Sequence, residues 1–202
     1  MTEAVFNVGF NCRDRFCAGA ADVLGMTPAA VRTGGTAADM RFAVGNCSLG
    51  SILVAASKIG VTAIFLDDDP EVLVRNLEDR FPNATLTRGD RDFEDVVAKA
   101  AGLIEAPGQA LDLSLDISGT IFQQRVWQAL RSIPPGTTAT YSEIAALIGM
   151  PKAVRAVAAA CAANKIAVAI PCHRVVRNDG SLSGYRWGVA RKRALIAREV
   201  KA

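Results

Sequence analysis

The sequence predicts an α/β N-terminal scaffold, a small antiparallel sheet plus helices, joined to a mostly helical C-terminal domain with a helix-turn-helix. Three observations carry that expectation. Between Met40 and Leu66, three β-rich runs are separated by short turn signals. Beyond residue 119 the apolar residues recur at helical spacing, with capping and breaking residues in register. The charge also changes sign: residues 1–118 carry a net −7 and residues 119–202 a net +10, which makes the chain's +3. At 202 residues and 50% hydrophobic the chain can bury a sizeable core.

In chain order, Asp22-Val23-Leu24-Gly25-Met26-Thr27-Pro28 reads as a helix end, a glycine cap and a new helical turn, and Thr33-Gly34-Gly35-Thr36 as a break. The runs 41–46, 51–57 and 61–66 predict an antiparallel meander. Asp67-Asp68-Asp69-Pro70 caps a helix with Val72, Leu73, Leu77 and Phe81 at helical spacing, stopped by Pro82. A second helix is expected over 92–103, and 111–117 alternates as one more strand. A helix over 121–133 buries Phe122, Val126, Trp127 and Leu130, and Pro134-Pro135-Gly136 ends it. Thr140 and Glu143 form a capping box that opens a helix to Ile148. Pro151 is expected to start the next helix, running to Asn164, so that the pair makes a helix-turn-helix across Gly149-Met150-Pro151. Ile166, Val168 and Ile170 alternate with alanines, and the chain is expected to enter Cys172 as a buried extended segment. The domains are therefore 1–35, 38–118 and 119–202.

Composition narrows the function. No apolar run reaches the length of a membrane span, and Met1-Thr2-Glu3 opens no secretory signal. Five cysteines, an odd number, favour a reducing, cytoplasmic setting, so a soluble protein is expected. The single histidine, His173, argues against a paired-histidine metal site, and no metal is expected. The +10 segment fits a polyanion partner or a solvated basic face. The helix after Pro151 is unusual for a base reader: beyond Arg155 it presents almost only small side chains. Such a helix can lie against a nucleic-acid backbone with Arg155 as a wedge, or be buried in a bundle.

The chemistry converges on Cys172-His173. A Cys-His dipeptide alone marks a buried structural thiol more often than a nucleophile. Here the unique histidine, the helix-turn-helix and the basic block coincide, which favours a reactive thiol. A basic neighbourhood is expected to raise its thiolate fraction. Adjacent side chains seldom face each other, so His173 is expected to act on Cys172 through a water, with Glu199 orienting the ring.

Pro171-Cys172-His173-Arg174-Val175 resembles the active-site motif of the O6-alkylguanine-DNA alkyltransferases. The likeness covers residues 40–199. It includes Phe122-Gln123-Gln124-Arg125-Val126-Trp127, Pro134 to Tyr141, Lys152 to Val157, and Asn164. Gly184-Tyr185-Arg186-Trp187-Gly188 with Arg191-Lys192 is most similar to the alkyltransferase half of adaptive-response regulators of the Ada type. The resemblance implies a ribonuclease-H-like scaffold. It also implies direct-reversal repair of double-stranded DNA: one irreversible transfer of a methyl group from O6-methylguanine, or O4-methylthymine, to Cys172. It makes Cys172 the acceptor, His173 its base and Glu199 the residue that holds His173. Tyr141, Asn164, Val175, Tyr185 and Arg186 would bind the flipped base, and Arg155, Ala156 and Tyr141 the DNA. No cofactor is implied, and a monomer is expected. Trp187 stands where many relatives have a smaller residue and is expected to narrow the pocket against benzyl groups. Residues 9–29 resemble the tail of an AraC-type helix-turn-helix, taken as a remnant. Rival readings are a lesion sensor that does not react, an Ada-like transcriptional regulator, and a cysteine hydrolase that turns over continuously.

Overall fold

The computed structural model describes residues 39–108 and 111–201. The expected remnant over 1–35 lies outside the described residues. Four strands form one sheet: β1 (Asp39–Cys47), β2 (Gly50–Ala56), β3 (Val61–Asp67) and β4 (Thr85–Arg88), in the order β3-β2-β1-β4. The first three make the expected antiparallel meander, but β4 pairs parallel with β1, so the sheet is mixed. β2 and β3 are buried along almost their whole length, which is why they read as continuous apolar runs. Polar, mostly exposed Thr85-Leu86-Thr87-Arg88 gives no such signal.

Helices α1 (Pro70–Arg80) and α2 (Arg91–Glu105) pack on the sheet. Asp69 caps α1 by accepting the Glu71 amide, and Asp90 caps α2 by accepting that of Phe93. Leu73 and Leu77 of α1 and Phe93, Val97, Ala100 and Ile104 of α2 are buried.

Residues 111–117 do not form the expected strand. They touch β3 at a single bridge, Val61 to Leu115, through Val61 N to Ser114 O at 2.8 Å and Asp116 N to Val61 O at 2.9 Å. The rest of the β3 edge is taken by a later segment: Ile64 bridges Ile166, with Ile64 N to Lys165 O at 2.9 Å and Ala167 N to Ile64 O at 3.0 Å. One edge strand thus holds both connections, and the second ties the sheet to the helical half.

That half contains α3 (Ile121–Arg131), α4 (Tyr141–Leu147), α5 (Val154–Ala162) and α6 (Val189–Glu199), with a short β5–β6 pair (Ala139–Thr140, Val175–Val176). Thr120 and Gln123 close a capping box on α3, and Thr140 and Glu143 close the expected one on α4. α3 braces both following helices: Arg125 donates to Ile148 O at 2.8 Å and Trp127 Nε1 to Ala160 O at 2.9 Å.

Pro151 does not start α5. Met150 to Ala153 form a turn closed by Ala153 N to Met150 O at 2.8 Å, and the proline holds the second position of that turn, which its fixed φ favours. The helix begins at Val154 and ends at Ala162.

Residues 166–170 are buried as expected but not extended. Once Ile166 and Ala167 have paired with β3, the chain must turn back, and Ile170 N closes on Ile166 O at 3.1 Å. Val168 sits at φ 64 inside this turn, a left-handed conformation costly for a β-branched residue. Among the described residues no helix is long and apolar enough to cross a membrane.

Gly60 marks the close approach of β3 to the 111–117 segment. A Cβ there would lie 2.5 Å from Ser114 O and 2.7 Å from its carbonyl carbon, backbone atoms held by the bridge at Val61. Gly60→Ala is expected to lower stability by about 1–3 kcal/mol in urea unfolding. Unchanged stability would mean that this bridge yields freely.

Candidate active site

A cavity of about 440 Å³ opens between α5 and the loop before α6; Tyr141, Cys161, Cys172, Gly184, Tyr185 and Arg186 help line it. Cys172 opens a single 3₁₀ turn, Cys172–Arg174, directly after the buried turn that docks on β3. Asn164, 0% exposed, fixes that approach from within. Its Oδ1 accepts Ile166 N at 2.9 Å, and its Nδ2 donates to Ile170 O at 2.9 Å and to Cys172 Sγ at 3.1 Å. The turn and the sulfur are thereby held by one amide side chain.

Burial pushes the Cys172 thiol up to about 11, against the lowering effects of the Asn164 hydrogen bond and the Lys192 charge. This corrects the expectation that basic surroundings would favour the thiolate: desolvation outweighs them, and the resting group is the thiol. Cys161 lines the same cavity, and burial drives it further, to about 12. Cys172 has the Asn164 amide on its sulfur and is the more readily ionised of the two.

His173 is fully buried on the same turn. Its Nε2 lies 2.8 Å from Glu199 Oε1, which makes Nε2–H the donor and leaves Nδ1 as an acceptor. Nδ1 is buried and has no hydrogen-bond partner among the described residues. Burial lowers the His173 pKa, outweighing the opposing pull of Glu199, so the ring is neutral at pH 7 and can accept a proton. Burial also pushes the Glu199 carboxyl upward, but hydrogen bonds from His173 and Arg174 overcome it and hold it at about 2. Arg174 reaches Glu199 through Nε at 3.0 Å and Nη2 at 2.9 Å and donates from Nη1 to Ile133 O. The expected Cys172, His173 and Glu199 therefore come together, with Arg174 as a fourth member that sequence reasoning missed.

The expected base-binding residues divide. Tyr141, Tyr185 and Arg186 line the cavity. The Tyr141 hydroxyl lies 2.7 Å from Ser183 Oγ, and the Tyr185 hydroxyl is buried without a partner among the described residues. Arg186 donates to Ala162 O at 3.1 and 2.6 Å, tying the loop to the end of α5. Asn164 reaches the sulfur but does not line the cavity. Val175 is fully buried away from it, its carbonyl accepting Lys192 Nζ. Arg155 and Ala156 are exposed on the first turn of α5, whose opposite face buries Val157, Ala160 and Cys161. Trp187 is 6% exposed and packs edge-on against Tyr185 with ring centroids 5.0 Å apart. It turns inward and does not line the cavity, so its influence there runs through Tyr185 rather than by direct narrowing. Among the described residues no group of three His, Cys, Asp or Glu side chains is placed to hold a metal.

Comparison with known proteins accords with this geometry. Residues 121–201 match the family described as 6-O-methylguanine DNA methyltransferase, DNA binding domain. The inducible methylated-DNA–protein-cysteine methyltransferase of Bacillus subtilis is 37% identical over 150 residues, covering 74% of this chain and 84% of that protein. The chain belongs to the methylated-DNA–protein-cysteine methyltransferase family. A crystal structure of Mycobacterium tuberculosis OGT in complex with DNA shares the fold at a TM-score of 0.67 and 34% identity, over 80% of this chain and 93% of that one. The bifunctional transcriptional activator/DNA repair enzyme Ada of Escherichia coli is 48% identical over this whole chain, which spans 57% of that protein's length.

The methyltransferase-family site predicts its own acid sensitivity. A carboxyl held at about 2 in the folded chain and near 4.5 when free stabilises the fold above pH 4.5, and that stabilisation is lost as pH falls toward 2. The loss should amount to about 3 kcal/mol. His173, its pKa lowered by burial, adds a loss that begins below pH 6.5. Urea unfolding across pH 2–7 should show Glu199→Gln less stable at pH 7 but lacking the step between pH 4.5 and 2. An equal step in both proteins would exclude the buried pair as its source.

Proposed function

We propose that the chain repairs double-stranded DNA by a single, irreversible transfer of a methyl group from O6-methylguanine to Cys172. One observation carries the reading: a buried thiol, bonded to Asn164 and opening on a cavity roomy enough for a purine, stands beside a neutral histidine backed by a carboxylate. The names of the relatives support the substrate class.

A methylated O6 inside a duplex cannot reach a buried sulfur, so the nucleotide must leave the stack, at a cost of a few kcal/mol. The exposed, small-residue face of α5 supports a close approach to a DNA backbone, with Arg155, exposed on its first turn, as the side chain that enters the stack and Ala156 beside it. α4 and α5, joined by the Met150–Ala153 turn, support the helix-turn-helix reading. The sheet order β3-β2-β1-β4, with β4 parallel to β1, supports a ribonuclease-H-like scaffold over 38–118, with 119–202 as the DNA-binding and reacting domain.

In the cavity Tyr141 and Tyr185 hold the flipped base, and Arg186 closes the loop over it. The Cys172 thiol proton passes through a water to His173 Nδ1, and Glu199 stabilises the resulting imidazolium. The sulfur then attacks the methyl carbon in line, the C–O6 bond breaks, and guanine leaves with the bonding electrons while the thioether remains. A thioether is not hydrolysed under these conditions, so each chain acts once. No step calls on a cofactor. A monomer acting in the cytoplasm completes the reading, and O4-methylthymine is a second substrate of the same chemistry.

Mass mapping after incubation with a duplex carrying one O6-methylguanine should show one methyl on Cys172 and consumption that stops at one equivalent. Tight lesion binding with an unmodified Cys172 would instead indicate a sensor. The transfer rate should be flat above pH 6.5 and fall only below it, because His173 titrates below its ordinary value. Arg155→Ala should weaken lesion capture about tenfold or more while leaving the reaction of Cys172 with iodoacetamide unchanged. Slowing of both reactions would place Arg155 in the fold rather than at the DNA.

A further inference from the structure

Three cations meet at the C-terminal end of α5, each from a different part of the chain. Arg80, the last residue of α1, donates from Nη2 to Ala163 O at 3.3 Å. Arg186, from the loop before α6, donates to Ala162 O from Nε and Nη2. Lys165, on the segment that pairs with β3, holds its Nζ over the Phe81 ring, 4.7 Å from the centroid. Among the described residues none of the three has an ion pair, and the Lys165 ammonium has no hydrogen bond. The one carboxylate that pulls on Lys165, Asp116, acts more weakly than either arginine and is bonded to Ser57 Oγ at 2.7 Å.

Capping the end of α5 does not account for so much charge. A helix C-terminus carries roughly half a negative charge, and three full positive charges exceed it about sixfold. Lys165 registers the excess: burial first, then Arg80 and Arg186, lower it to about 8, so it is still mostly protonated at pH 7. Arg80 is lowered too, first by burial and then by Arg186. Like charges gathered with so little compensation repel one another in the free chain, and an anion placed among them relieves the repulsion. The site has donors for one. Arg80 Nε and Nη1, Arg186 Nη1 and the Lys165 ammonium are uncommitted among the described residues. Its place indicates which anion. Arg186 lines the cavity of Cys172, and the exposed face of α5 runs about 10 Å from Arg155 through Ala159 to Ala162, beside the cluster.

We propose that Arg80, Lys165 and Arg186 together hold one backbone phosphate of the DNA strand whose base enters the cavity, so that the α/β half, through Arg80, contributes a DNA contact of its own. This rests on the reading above that the chain takes up a nucleotide flipped out of duplex DNA. A phosphate contact reads no base; it fixes the register of the strand on the protein. A strand lying on the exposed face of α5 is then gripped at both ends of the helix, by Arg155 at the first turn and by the cluster after the last. The mutual repulsion of the three cations is relieved in the complex and not in the free chain.

The test measures affinity of the full chain for a duplex carrying one O6-methylguanine, with Cys172→Ser as background so that no transfer follows binding. Arg80→Gln and Lys165→Met should each weaken binding about three- to tenfold at moderate salt and flatten the slope of log affinity against log salt by about 0.9, the share of one phosphate. Phosphates of the lesion strand are then replaced one at a time by neutral methylphosphonates. One position should cost affinity in the chain with Arg80 and cost nothing further in Arg80→Gln. With Cys172 restored, the iodoacetamide rate of both variants should stay within about twofold, and the urea midpoint of Lys165→Met should not fall. If Lys165→Met does not fold, Arg80→Gln and the phosphate scan decide. Unchanged affinity, a loss of affinity at unchanged salt slope, or a methylphosphonate cost that is the same with and without Arg80 would each overturn the phosphate site. A chain that shows this phosphate pattern yet leaves Cys172 unmethylated would overturn the transfer chemistry alone; a chain that does not bind the duplex would overturn both.

Discussion

The site depends on the side chain of Asn164. An amide buried with all its hydrogen-bonding groups unpaired would cost several kcal/mol, so its partners are effectively dictated. Here those partners are the Ile166 amide, the Ile170 carbonyl and the Cys172 sulfur. The same side chain thus shapes the turn and touches the Cys172 sulfur. The turn is constrained at its other face too, because Ile166 and Ala167 complete the edge of β3. With both faces fixed, Val168 is held at a positive φ that it would not adopt alone. Strain at the turn that leads into Cys172 is accounted for by these two anchors, without appeal to flexibility.

Burial then sets the chemistry. Burial pushes the Cys172 thiol up to about 11, so burial and ionisation of the sulfur are in direct conflict. The same burial keeps the His173 ring neutral and able to take a proton. That arrangement leaves Glu199 as a charge in a dry place, tolerable only because His173 and Arg174 both donate to it. Removal of Glu199 would leave both the Arg174 guanidinium and the His173 Nε2–H without their carboxylate.

The motif chemistry was legible in the sequence, because Cys172, His173 and their neighbours are contiguous and Glu199 is the last acid of a basic domain. The meander, α1, α2 and the capping box at Thr140 were legible as well, each through a local signal. What was not legible came from tertiary pairing. β4 is short and polar, and only its neighbour β1 makes it a strand. Residues 111–117 alternate like a strand but find only one bridge position, since Ile166 occupies the remaining edge. The apolar run before Cys172 has the period of a strand and the hydrogen bonding of a turn. Pro151 fits both a helix start and the second place of a turn, and the Ala153 to Met150 bond decided between them. The box at Thr120 and Gln123 carries the same three-residue spacing.

α6 shows why charged site residues are the hardest to find. Its buried face carries Lys192, Leu195 and Glu199, three and four residues apart, so two of its three inward positions are charged. Apolar periodicity places such a face in solvent. The outward residues mislead in the opposite sense: Arg191 is drawn in to Leu49 O at 2.8 Å, Trp187 O at 3.1 Å and Asp68, and Arg198 to Ser48 Oγ at 2.7 Å. One helix thus supplies the carboxylate behind His173, the ammonium that donates to Ser183 and the guanidinium contacts that clasp the acidic scaffold. The opposed charges of the two halves, visible in the sequence only as −7 against +10, are in part this clasp. The scaffold needs no chemistry of its own: with β3 it holds the turn that presents Cys172, and through Arg191 it steadies the loop that closes the cavity. Each wall of the site is in this way referred to the same sheet, so the spacing across the cavity is set by the fold.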